Sequence, residues 1–305
     1  MRIFLFLKNS AEFLSAFTSR SSAKYQKVPD LPYSARRKGD DINLDLLNNQ
    51  LVIYSQKTPE EKKATLHLKN KEEYLDRMLM SRYREGYNEI YIKYDDSDTI
   101  NSIRDTLRFL LGFEIVDQTA NSCTIKNISE GSDEDYTTMF RRMFQIMLTM
   151  SDSCLQYAKT GDERHLKTAV DLRETLTKLE QFNLRLINKQ NNFSLQKKSL
   201  EFFYVWNIAT IGKSWSSLAK KPLSKKLKIS TEDIEFMKEV TSFAREFYEV
   251  YYDRDKDRLL KMKSKLYTLR PIGASLLETS KNKLVIFYLL KLINRMYEVT
   301  LSFDV

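Results

Sequence analysis

Asp135-Tyr136-Thr137-Thr138-Met139-Phe140-Arg141-Arg142-Met143-Phe144-Gln145-Ile146-Met147-Leu148-Thr149-Met150 opens the stretch, running on to Ala219, whose reading decides the fold. Tyr136, Met139, Phe140, Met143, Met147, Met150, Cys154 and Tyr157 recur at three- and four-residue steps, which stacks their side chains on one helix face. Leu166, Val170, Leu176, Leu179, Phe182 and Leu186 repeat that spacing in a second segment. A third runs from about Leu195 through Phe202, Val205, Ile208, Ile211 and Trp215 to Ala219, and it is apolar enough to be buried on more than one side. Thr160-Gly161-Asp162 and Lys189-Gln190-Asn191-Asn192 are short polar connections, which favour antiparallel neighbours. The stretch therefore predicts an up-down-up three-helix bundle over residues 133–219.

The remainder of the C-terminal half repeats the theme. Thr231 to Tyr252 carries Ile234, Met237, Val240, Phe243, Ala244, Phe247 and Tyr251 on one face. Ser230 or Thr231 is placed to cap it, with Glu232 and Asp233 in the first turn where negative charge suits the helix dipole. Asp255 to about Leu269 follows, Pro271-Ile272-Gly273 is expected to break the pattern, and a last helix is expected from about Lys281 to Leu301. Residues 231–305 thus read as a second three-helix bundle, joined to the first by a linker over 220–230.

Upstream, 71–130 reads as a small α/β module. A helix from Glu72 to Arg84 is stopped by Gly86, Glu89-Ile90-Tyr91-Ile92-Lys93-Tyr94 alternates as a strand, and Asp98 or Thr99 can cap a helix over Ile100–Leu111 ended by Gly112. Phe113–Val116 and Cys123–Ile128 then pair as a hairpin. Residues 23–70 read as a hairpin region and connector: Asp41–Leu46 alternates, Asn48-Asn49 supplies a turn, and Gln50–Tyr54 returns, while Lys57 to Asn70 is polar and weakly patterned. Residues 1–22 are weakly amphipathic and read as a loosely docked terminus.

Seven glycines and five prolines among 305 residues argue for helix over a loop-rich β protein, so the class is mainly α. Cys123 and Cys154 form no C-x-x-C pair, and His67 and His165 leave little for a proton relay or imidazole site. Gly86 and Gly112 stand alone at helix ends, so no phosphate-cradling loop is present, and nothing sets a nucleophile beside a base. The expectation is a cytoplasmic protein that is not an enzyme, carries no cofactor, binds no evident small-molecule substrate and has no transmembrane segment.

An excess of 50 Lys and Arg over 41 Asp and Glu gives a net charge of +9 and suggests a polyanion partner. The densest run, Lys220-Lys221-Pro222-Leu223-Ser224-Lys225-Lys226-Leu227-Lys228, reads as a charged surface linker. Its functional alternative is that Lys220, Lys221, Lys225, Lys226 and Lys228 meet an acidic partner or an anionic membrane surface.

Leu31-Pro32, Gly39-Asp40-Asp41-Ile42 and Leu51-Val52-Ile53 resemble the swapped-hairpin DNA-binding domain of the AbrB and SpoVT type. The resemblance implies a homodimer and gives Lys24, Lys27, Arg36, Arg37 and Lys38 phosphate contacts on DNA; a docking hairpin with a solvated basic turn is the alternative. Arg84–Ile90, Leu110-Leu111-Gly112-Phe113-Glu114-Ile115-Val116 and Phe140-Arg141-Arg142-Met143-Phe144 in turn resemble archaeal PhoU-family regulators, which join such a domain, an α/β linker and a pair of three-helix bundles. That resemblance implies a regulator of phosphate uptake and homeostasis, acting on DNA or as an adaptor on a phosphate transporter or signalling protein.

Many PhoU proteins hold metal clusters through E-x-x-x-D pairs on the third helix of each bundle. Here Ala209 and Lys213 stand at one such spacing and Leu290 and Asn294 at the other, so no metal cluster is expected. Asp171, Glu174 and Glu180 are read as a solvated face interleaved with Arg173, Lys178 and Arg185.

Overall fold

The computed structural model describes residues 3–6, 42–47, 50–55, 61–68, 74–129, 133–189, 193–220 and 229–303. The chain divides between Glu61 and Lys62 into two compact units. The first unit contains a three-stranded antiparallel sheet of β1 (Ile3–Phe6), β2 (Ile42–Leu47) and β3 (Gln50–Ser55), in the order β1-β3-β2. β2 and β3 form the expected hairpin, with Leu44 opposite Ile53. The terminal segment is a correction: Ile3–Phe6 pairs with β3 as a strand, because the hairpin leaves one edge of β3 open to a short apolar run.

The second unit begins with a sheet of β4 (Lys63–Leu68), β5 (Glu89–Tyr94), β6 (Phe113–Gln118) and β7 (Ser122–Asn127), in the order β4-β5-β7-β6. β4 falls in the region read as a connector. It lies parallel to β5 across a crossover through α1 (Leu75–Arg84), and Leu66 and Leu68 turn into the core while Lys63, Thr65 and His67 stay exposed. α2 (Thr99–Leu107) ends a turn earlier than expected and packs beside α1. No side-chain bond caps α2; Asp96 Oδ1 instead accepts from Asp98 N at 2.9 Å. Gly86 (φ 86°) and Gly112 (φ 81°) both take the left-handed conformation that suits glycine after a helix.

Six long helices follow: α3 (Asp133–Thr160), α4 (Glu163–Lys189), α5 (Leu195–Lys220), α6 (Thr231–Asp253), α7 (Lys256–Thr279) and α8 (Lys283–Thr300). α3, α4 and α5 pack on one another, as do α6, α7 and α8. The sets meet first helix on first, α3 against α6, and third on third, α5 against α8. One continuous apolar core fills all six, so the two expected bundles are halves of a single helical body. At its centre Phe144 touches Phe140, Phe247, Tyr248, Tyr251 and Tyr252, with ring centroids 4.9–5.8 Å apart.

Pro271 does not end its helix. α7 runs through it to Thr279, because the proline lies on the solvent side, where the Tyr267 carbonyl that loses its N–H donor sits on a residue 61% exposed. Gly273, on the buried side, makes room: an added Cβ would stand 2.5 Å from Leu290 Cδ2 and 2.7 Å from Phe236 Cζ. Ser230 caps α6 as expected, its Oγ accepting from Asp233 N at 3.1 Å. Ser230→Ala is expected to cost about 1 kcal/mol and lower the thermal midpoint by about 2–4 °C, read by calorimetry. Among the described residues no helix is long and apolar enough to cross a membrane.

Candidate functional site

The third helices of the two sets, α5 and α8, carry the positions at which the resemblance implies metal ligands. Lys213 on α5 reaches Glu180 on α4, with Nζ 2.5 Å from Oε2; Glu180 is 1% exposed and the lysine side chain 30%. Glu180 is therefore no part of a solvated face. Glu174 does lie at the surface, bonded to Lys178 and Arg108, and Asp171 is exposed.

At the spacing where the resemblance places carboxylates, Ala209 is buried and Lys213 puts an ammonium onto Glu180. On α8, Leu290 packs over Gly273, and Asn294 Oδ1 accepts from Arg270 Nε at 2.6 Å. These groups do not fit a divalent cluster, since a cationic side chain stands where a ligand must be. Among the described residues no three of His, Cys, Asp and Glu gather in metal-binding range.

Between α5 and α8, with Leu277 of α7 at one end, lies a groove of about 680 Å³. Tyr204 OH donates to the Ser302 carbonyl at 3.3 Å, so the start of α5 meets the end of α8 and the two walls run antiparallel. Thr210 and Ser214 line the α5 wall and turn their hydroxyls back onto their own helix, donating to the Trp206 and Thr210 carbonyls at 2.8 Å. Those hydroxyls ask for no outside partner. Phe287, 53% exposed, lies on the opposite wall. N-terminal to Thr210 on the same α5 face, Trp206 (44% exposed) stacks on Phe202 (39% exposed).

Lys24, Lys27, Arg36, Arg37 and Lys38 lie outside the described residues, as do Lys221, Lys225, Lys226 and Lys228; Lys220 ends α5 and is exposed. Sequence reasoning missed Phe202, Trp206 and Phe287 as surface groups, because on helices so apolar the pattern does not say which face stays uncovered.

Neither cysteine carries an activated thiol. Burial pushes the Cys123 thiol up to about 11, and burial likewise raises Cys154. Burial, then the Glu201 carboxylate that accepts its hydrogen bond at 2.6 Å, holds the Tyr136 hydroxyl protonated far above the usual phenol range. Fold and face together give a mainly helical protein with a groove between two of its long helices. Comparison with protein-family models, with curated protein sequences and with solved structures finds no match.

Proposed function

We infer that the chain is a PhoU-like regulator of phosphate uptake and homeostasis that acts without catalysis, by docking its helical body on a phosphate transporter or signalling protein. The observation that carries this reading is the paired arrangement of α3–α5 and α6–α8, first helix on first and third on third, which leaves an apolar groove between the third helices. The motif resemblance supplies the phosphate context. Removing the protein from its cell is expected to change phosphate-transporter expression or phosphate uptake, and capture of a transporter or kinase subunit is expected to survive deletion of residues 1–60. Unchanged uptake and expression in the deletion strain would refute the phosphate role.

A second arm, DNA contact by the N-terminal unit, is favoured by the β2–β3 hairpin, the element that the AbrB resemblance requires, lying just after Arg36, Arg37 and Lys38. A homodimer belongs to this arm. Duplex DNA binding is then expected to weaken steeply with salt, and alanine at those three positions to reduce the salt slope by about 2–3. No shift at low salt would remove the DNA arm and leave the docking role standing.

A further inference from the structure

We propose that the groove between α5 and α8 binds an amphipathic helix of a partner protein, apolar on its inner face and acidic along one flank. The inference rests on the docking role above and names the chemistry of the partner. Both walls are helices with their backbone groups satisfied internally, so the groove offers no strand edge to extend; what it offers is side-chain surface, which an amphipathic helix reads through residues at i, i+3, i+4 and i+7. From Phe287 to Glu298 the α8 wall covers eleven steps, about 17 Å at about 1.5 Å per residue, or roughly three helical turns.

Charge fixes the flank. Lys291 and Arg295 stand one and two turns beyond Phe287 on α8, and Arg270 joins them through its bond to Asn294. Among the described residues lining the groove, Glu298 alone carries a carboxylate, and it sits 3.5 Å from Arg295 Nη1, a loose pairing. Arg295 Nε is buried without a hydrogen-bond partner, and Lys291 has no acid within ion-pair distance among the described residues. An acidic flank fits this rim. A second copy of the chain fits it poorly, since a two-fold contact through this face brings two net-positive faces together.

The test uses the full chain and a fluorescein-labelled designed helix of about fourteen residues, leucine on the inner face and glutamate on the flank, beside a twin with lysine in place of glutamate. The acidic peptide is expected to raise anisotropy and to shift the emission of Trp206, the exposed one of the two tryptophans. Lys291→Glu, at an exposed position, is expected to weaken it roughly tenfold and to favour the lysine twin. Phe287→Ser is expected to abolish both peptides' binding while leaving the helical circular dichroism intact. Equal binding of the two peptides, no binding at about 1 mM, or a dimer that Phe287→Ser dissolves would each overturn the proposal. Failure of the phosphate role is read separately: peptide binding with unaltered phosphate uptake in the deletion strain would refute that role and leave the groove's chemistry standing.

Discussion

Replacing Lys213 by alanine is expected to destabilise the helical body by about 3 kcal/mol, the lower end of the range for breaking a buried ion pair. The lower end applies because the lysine keeps 30% of its side chain in solvent, while Glu180 has 1%. Without the ammonium, Glu180 is a carboxylate in an apolar wall with no other cation at ion-pair distance among the described residues. The whole pair replaced by Lys213→Met with Glu180→Leu is expected to regain most of the loss, since apolar groups of similar volume need no partner. Urea unfolding of the two single variants and the double variant measures both quantities, read from midpoints at unchanged slope. A Lys213→Ala protein as stable as the parent would show that the pair contributes nothing.

Much of the helical architecture is legible in the chain because its signals are local. Met143, Met147 and Met150 mark a buried face, Ser230 caps where it should, and Gly86 and Gly112 take the positive φ that a helix exit asks for. What escaped is settled by distant partners. Lys63–Leu68 offers only the small Ala64 with Leu66 and Leu68 as apolar markers, and its status depends on β5, reached through a crossover. Phe144 lies off the stripe assigned to its helix and is fully buried, because α3 covers α6 as well as its own set.

The same cause explains what stayed hidden of the site. Glu180 sits among Arg173, Lys178 and Arg185 in sequence and reads as surface, yet its partner is 33 residues away on the next helix. Pro271 misleads in the opposite direction: a strong local breaker is overridden where the open carbonyl faces water and a buried glycine lets α7 close on α8 and α6. The exposed aromatics of α5 and α8 were visible as residues, and only packing shows that Trp206 stays 44% and Phe287 53% exposed.

Arg185→Met is expected to loosen the sheet from the helices, at a cost of about 3–5 kcal/mol. Arg185 is 3% exposed on α4, and its Nη1 donates to the Tyr83 carbonyl at 2.9 Å and the Tyr87 carbonyl at 2.7 Å. These acceptors lie at the C-terminal end of α1, where carbonyls lack intrahelical donors and the helix dipole favours a cation. The guanidinium also lies 4.9 Å from the Tyr83 ring centroid and 5.1 Å from that of Phe113. Burial lowers its pKa, but a guanidinium starts so high that it stays charged. Phe182, one helical turn before, packs against both cores, and Asn188 Nδ2 donates to the Arg84 carbonyl at 2.8 Å, so Arg185 is the polar centre of the seam. Methionine fills part of the space, leaves the Tyr87 carbonyl without this donor and leaves the Tyr83 carbonyl with only the Gly86 N–H at 3.0 Å. Arg185→Lys keeps the charge but not the planar fork that bonds and stacks together, and is expected to recover less than half of the loss. Hydrogen exchange is the decisive readout: amides of α1 and β5 are expected to exchange faster while those of α3 stay protected, and equal protection in variant and parent would show that apolar packing around Phe182 holds the seam by itself.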